Sequence, residues 1–144
     1  MTQSALSKSS AMPMPASERP LIIDEIHLER MTLGDRSLER EVLEIFARQT
    51  TMTLERIAGA GRARAAAAAH TLEGSARGIG AWRVAQAAER LEAAAAGTGD
   101  EAAMIAAIAE LEAASFEARL AIGVRLGDDG EQPAARHGNR WRDH

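Results

Sequence analysis

The stretch AAAAAHTLEGSARGIGAWRVAQAAERLE, residues 65–92, decides how the rest of the chain is read. Its first half is alanine-rich, the composition with the strongest helix propensity. Placed on a helix at about 100° per residue, it separates into two faces. Ala63, Ala66, Ala67, His70, Glu73, Gly74 and Arg77 share one side. Ala65, Ala68, Ala69, Leu72, Ala76 and Ile79 fall on or near the other, where a core would want them. A single histidine therefore stands among small residues, with a glycine one turn beyond. A glycine inside a helix costs about 1 kcal/mol relative to alanine, so Gly74 needs a reason. Close approach of another backbone to the imidazole supplies one. This face reads as an exposed histidine on a docking surface formed by Ala66, Ala67, Glu73, Gly74 and Arg77.

Working outward, Gly78 and Gly80 bound this helix, which spans residues 62–79, while Gly59 and Gly61 mark a short turn before it. A turn that short sends the preceding helix antiparallel to it. That preceding helix is capped by Ser37 or Asp35 and runs to about Ala58. Leu38, Val42, Ile45, Phe46, Gln49, Met52 and Ile57 recur at three- and four-residue steps and define its expected inner face. Further upstream, Asp24 reads as the N-cap of a short helix whose Ile26, Leu28 and Met31 are available to pack across an end of the bundle, broken by Gly34. Downstream, a helix from about Ala81 to Ala96 carries Val84, Ala87, Ala88, Leu91 and Ala95 on one stripe, with Trp82 at its start as a packing residue at a bundle end. Thr98 and Glu101 are spaced as a capping box for a last helix. Met104, Ile108, Leu111, Ser115 and Ala118 face inward there. Ile105, Phe116, Leu120 and Ile122 broaden the stripe, and Gly123 or Gly127 ends it.

No segment alternates with the period of a strand. The expected fold is all-α: an antiparallel four-helix bundle with a short additional N-terminal helix, spanning residues 21–126. Residues 1–20 and 127–144 are Ser/Pro-bearing or polar and lack periodicity, and both are read as disordered tails. The chain of 144 residues is 46% hydrophobic but only 3% aromatic. Leucine, isoleucine and closely packed alanines must therefore form the core. A net charge of −4 gives no electrostatic reason to expect nucleic acid. No run approaches the roughly 20 apolar residues of a membrane span, and residues 1–20 lack the apolar core of a signal peptide. Cysteine is absent, which is compatible with a cytoplasmic setting. The four histidines, at positions 27, 70, 137 and 144, have no second ligand at zinc-site spacing, so no metal is expected. There is no P-loop and no glycine-rich nucleotide box.

The string from His70 to Ala81, followed by an apolar helix ending in Arg-Leu-Glu, resembles the histidine-containing phosphotransfer (HPt) domain family. The family pattern is roughly H-x-L-K-G-S-[SA]-x-x-x-G-A, then a helix ending in L-E or L-Q. His70, Leu72, Gly74, Ser75, Ala76, Gly80, Ala81, Leu91 and Glu92 sit where that pattern asks, and a looser likeness extends from about Leu21 to Ile122. One position departs: Glu73 stands where the family carries lysine. The resemblance implies that His70 is a phosphoacceptor and that Glu92 orients its ring. It implies a bacterial-type two-component phosphorelay carrier passing phosphoryl groups between receiver aspartates or from a sensor kinase. Such a chain would be a monomer and not an enzyme, with no cofactor of its own; magnesium would belong to the receiver. Partners would be response-regulator receiver domains or a hybrid histidine kinase, with neither nucleic acid nor membrane. The alternative is a pseudo-HPt module that docks those partners without taking phosphate. A plain helical interaction domain with His70 incidental is the third reading. Glu73 weighs on the first because its charge repels phosphate. Its i,i+4 pairing with Arg77, worth about 0.3–0.5 kcal/mol, moderates that repulsion.

Overall fold

Capping side chains set the first two helix starts. The Asp24 carboxylate accepts from the His27 backbone N–H at 3.1 Å and opens α1, Glu25–Met31. Asp35 accepts from the Leu38 N–H at 3.0 Å and opens α2, Arg36–Ala58, so of the two candidate caps the aspartate serves. The computed structural model describes residues 22–97 and 100–129. Three more helices follow: α3, Arg62–Ile79; α4, Trp82–Ala96; and α5, Glu101–Asp129. Among the described residues there is no strand, so the class is all-helical. Asp100 Oδ1 accepts from the Ala103 N–H at 2.9 Å at the start of α5. Thr98, the expected cap, lies outside the described residues, as do the stretches 1–21 and 130–144, which hold nearly all of both expected tails.

α3 ends on Gly80, whose φ of 87° is the left-handed conformation that favours glycine. Its carbonyl accepts from the Asp24 N–H at 2.9 Å, which docks the entry of α1 onto the α3–α4 corner. A Cβ at this position would lie 3.0 Å from both the Cβ and the carbonyl oxygen of Asp24. Trp82 Nε1 donates to Asp24 Oδ2 at 2.9 Å, and the His27 ring packs on the indole at 4.9 Å between centroids. His27 Nε2 donates to the Gly78 carbonyl at 3.1 Å. Trp82 is thus engaged at this end of the helices.

α3 packs against α1, α2 and α4, and α5 against α2 and α4. Ala65, Ala69, Leu72 and Ala76 are buried on α3, and Val84, Ala85, Ala87, Ala88 and Leu91 on α4. Small side chains on both helices permit close approach of their axes, which in packed helices usually lie about 8–10 Å apart. Larger side chains fill the remaining core: Leu43, Phe46 and Ile57 from α2, Leu111 and Ile122 from α5, and Leu28 from α1. Each such burial contributes about 1.5–3 kcal/mol. Polar links register the helices. Arg62 Nη1 donates to the Ala94 carbonyl, and Arg83 pairs with Glu117, as Arg90 does with Glu110. Arg125 pairs with the buried Glu39 at 2.6 Å and with Glu25 at 2.8 Å.

Four expectations change. On α1 Leu28 is buried as expected, but Ile26 and Met31 face solvent, because one apolar position per two turns meets the bundle end. Leu38, Ile45 and Met52 are exposed on α2, because the inward stripe runs through Glu39, Leu43, Phe46, Thr50, Thr53 and Ile57. The three- and four-residue period holds, but the buried arc is narrower than the apolar one. Ile105, Phe116 and Leu120 likewise face solvent on α5, while Ile122 is buried. Finally, neither Gly123 nor Gly127 ends α5. Ile122 and Arg125 anchor the last turns to the core and to Glu39, and Arg40 Nη1 donates to the Leu126 carbonyl at 3.1 Å. That tertiary support outweighs the cost of glycine, about 1 kcal/mol each.

Candidate functional site

His70 lies near the middle of α3, on the face turned away from Ala69 and Leu72, and its side chain is 74% exposed. The antiparallel register around Gly80 brings Glu92 of α4 alongside it, with Nδ1 2.8 Å from Glu92 Oε2. A carboxyl oxygen that bears no proton only accepts, and with Glu92 Oε2 in that role Nδ1 carries the proton and Nε2 presents its lone pair to solvent. Glu73, one turn beyond His70, has a carboxylate oxygen 3.9 Å from Nδ1. Arg77 clamps that side chain through Nε at 3.1 Å and Nη2 at 2.7 Å, and Nη2 also reaches Glu89 at 3.3 Å.

The two carboxyls beside the ring titrate in opposite directions. The Arg77 guanidinium, and then a hydrogen bond with Glu92, holds Glu73 below the usual carboxylate range. Burial, and then the Glu73 carboxyl, pushes Glu92 up, against the pull of His70. Glu73 and Glu92 therefore meet at the ring as an ionised acid beside one that takes a proton more readily. The paired Arg77 is held above its ordinary value, chiefly by Glu73.

The expected docking residues share the surface around the ring. Ala67, Gly74 and Arg77 are exposed, and Ala66 and Glu73 are half-buried. A Cβ on Gly74 would meet nothing within 4 Å, so packing within the chain does not require glycine there. His70 Nδ1 and one carboxylate oxygen each from Glu73 and Glu92 lie within 4.8 Å of one another, a donor set that could ligate a cation. Zinc-site spacing misses this set because one ligand comes from the neighbouring helix. Its atoms already have partners: Glu92 holds Nδ1 and Arg77 holds Glu73, and a cation would have to displace them. Glu89 also escapes the linear reading. Its signal is the corner at Gly80, which pairs residues of α3 and α4 whose numbers sum to about 162–166 and so puts 89 opposite 77.

An all-helical chain with a solvent-facing, carboxylate-held imidazole on a small-residue face has the features of a histidine phosphotransfer module. The Hpt domain model matches residues 41–120, more than half of the chain, and the chain belongs to the Hpt domain family. The crystal structure of a protein described as a histidine-containing phosphotransfer protein from rice shares the fold, with a TM-score of 0.64 and 16% identity, over 84% of this chain and 86% of that one. None of the curated proteins compared matches this chain. Family and fold support a histidine phosphotransfer role, and the family comprises phosphocarriers rather than enzymes. Among the described residues no helix is long and apolar enough to cross a membrane.

Proposed function

We propose that the chain is a two-component phosphorelay intermediary that carries a phosphoryl group on His70 Nε2 between receiver-domain aspartates, or from a hybrid histidine kinase to a receiver. The observation that carries this reading is the 2.8 Å contact between Nδ1 and Glu92 under an exposed ring. With the proton fixed on Nδ1, the Nε2 lone pair attacks the phosphorus of an aspartyl phosphate in line. The bond from phosphorus to the aspartyl oxygen breaks, and the carboxylate leaves with the electron pair. The imidazolium charge that develops is stabilised by Glu92. The reverse step returns the phosphoryl group to the next aspartate. Ala66, Ala67 and Gly74 leave room for the receiver, which brings its own acidic pocket and magnesium; no cofactor on this chain is invoked.

The architecture in this reading is an antiparallel four-helix bundle of α2–α5 with α1 as the short addition, within a body of residues 21–126 flanked by tails. Cross-links support it. Residues 62 and 94, 90 and 110, and 39 and 125 pair early with late positions on neighbouring helices. Incubation with phosphorylated receivers should place acid-labile, base-stable label on the chain, and His70→Gln should abolish it with the thermal melt unchanged. Receiver binding without label would transfer the protein to the docking-only class. Label that persists in His70→Gln would end the assignment.

A further inference from the structure

α5 is apolar on both sides. Its inner stripe of Leu111, Ser115, Ala118 and Ile122 is buried. Its outer face exposes Ile105 at 61%, Phe116 at 57%, Leu120 at 56% and Val124 at 65%. From Ala102 to Gly127, about seven turns, Glu112 is the single charged residue among those fully exposed. The outward faces of α2 and α4 carry more charge: α2 sets Glu41, Glu44 and Arg48 beside its exposed Leu38, Ile45 and Met52, and α4 carries Arg83, Glu89 and Arg90. A helix that is apolar on two sides calls for cover on both, and among the described residues nothing covers the side of α5 away from the core.

We propose that this face is the interface of an antiparallel homodimer, α5 on α5 of a second copy. The pattern is self-complementary about a dyad between positions 114 and 115. Reversal about that point sets Phe116 against Ala113, Leu120 against Ala109, Val124 against Ile105, and Ala106 against Gly123. Three of these four pairs set a large residue against a small one or two small ones together, which lets two helix surfaces interdigitate, and a dyad makes the contact isologous. A face whose one exposed charge, Glu112, lies at its edge offers little handle for a charged partner. At the edge of the stripe, Glu112 meets Glu117, whose charge is already met by Arg83 at 2.9 Å. The stripe from 105 to 124 is about 29 Å long on a helix about 10–12 Å across. Its footprint of roughly 300–350 Å² falls well below the ~800 Å² per partner of standard complexes, so the dimer belongs to the weak, concentration-dependent class. α3 and α5 both pack on α2 and α4 and so occupy opposite corners, which leaves His70 open in the dimer. This replaces the monomer expected from the sequence and does not rest on the phosphotransfer reading.

Sedimentation velocity of the full chain between 5 and 500 µM should show mass rising from 15.3 kDa toward twice that value. Phe116→Glu should weaken association more than tenfold with an unchanged thermal melt, since the side chain is already solvent-facing. The chain has no native cysteine, so register is read directly. Mixed under oxidation, Ala109→Cys and Leu120→Cys should cross-link to one another, and neither to itself. A monomer at 500 µM overturns the proposal, as does a dimer indifferent to Phe116→Glu or an Ala109→Cys self-cross-link. A chain that dimerises only after residues 1–21 or 130–144 are removed also overturns it, by showing that a tail covers the face.

Discussion

Replacing Glu92 with alanine removes, among the described residues, the only carboxylate within hydrogen-bond distance of His70 Nδ1, since Glu73 stands off at 3.9 Å. A hydrogen bond to a charged group contributes about 1.5–3 kcal/mol where water is excluded, and an exposed ion pair about 0–1. With the ring 74% and the Glu92 side chain 28% exposed, this contact belongs between those limits, at about 1 kcal/mol. That free energy fixes both the tautomer and the ring angle. Its loss should slow phosphorylation of Nε2 about fivefold. Glu92→Gln keeps an oxygen acceptor and relieves the contact with the Glu73 carboxylate, so its rate should stay within about twofold of the parent. A small phosphoramidate donor removes partner docking from the assay, and histidine ¹⁵N shifts at neutral pH report the tautomer independently. Glu92→Ala should lose the Nδ1–H signature that Glu92→Gln keeps. If the alanine variant matches the parent in both rate and ¹⁵N shifts, the carboxylate neither orients the ring nor sets its proton, and the reasoning fails at its first step.

Glu73→Lys should raise phosphoryl uptake three- to tenfold. Reversing the charge about 6 Å from the phosphoryl group is worth about 1.4 kcal/mol in water before salt screening, and a flat or lower rate from the same small donor refutes this. Gly80→Ala should cost about 2–3 kcal/mol, from the left-handed φ and the contact with Asp24, and lower Tm by roughly 10 °C; an unchanged melt would show that this corner is not rigid. Arg125→Met should cost about 1–3 kcal/mol by leaving the buried Glu39 with the longer Arg36 contact at 3.7 Å, and Glu39→Met in the same chain should restore more than half of it. In pH titrations followed by carboxyl ¹³C shifts, Glu92 should protonate before Glu73 as pH falls. Glu73, held low, contributes stability that is present above about pH 4.5 and lost as pH falls through its folded pKa. Glu92, held high, imposes a cost above its folded pKa that is relieved as pH falls through it. The reverse order of titration would remove the basis for both signs.

Helix boundaries within residues 24–97 were legible because punctuation and periodicity agreed there: Asp24, Asp35, the Gly59–Gly61 turn and Gly80 each act through local backbone geometry. Which apolar residues are inside was less so. Leu38, Ile45 and Met52 repeat every seven residues and mimic an inner stripe, yet they lie to one side of the line through Leu43, Phe46 and Thr50. A helix wheel orders residues around an axis but does not say how wide an arc the neighbouring helices cover. The same gap hid the outer face of α5, where the sequence offers apolar residues on both sides. Gly123 and Gly127 misled for a different reason: what holds the last turns is the reach of Arg125 to Glu39, across 86 residues. At the site, the position of Glu92 came from the family pattern. Glu89 needed the register set by Gly80.

The charge around His70 follows from one substitution and its neighbours. Glu73 and Glu92 flank the ring, and the nearby cation that meets this acidic face is Arg77, whose guanidinium is shared between Glu73 and Glu89. Where the family pattern has lysine, this chain has an acid, so the cation stands one turn further along and already paired. A phosphoryl group on Nε2 adds two more negative charges to a face that begins with an excess of them, and the group that can answer it is Arg77, drawn from Glu73. The proton that Glu92 takes more readily than an ordinary carboxylate acts in the same direction, since it removes a negative charge beside the ring. Phosphorylation should therefore raise the Glu92 pKa further and loosen the Glu73–Arg77 clamp. On this reading the site is poised to give its phosphoryl group away rather than to store it.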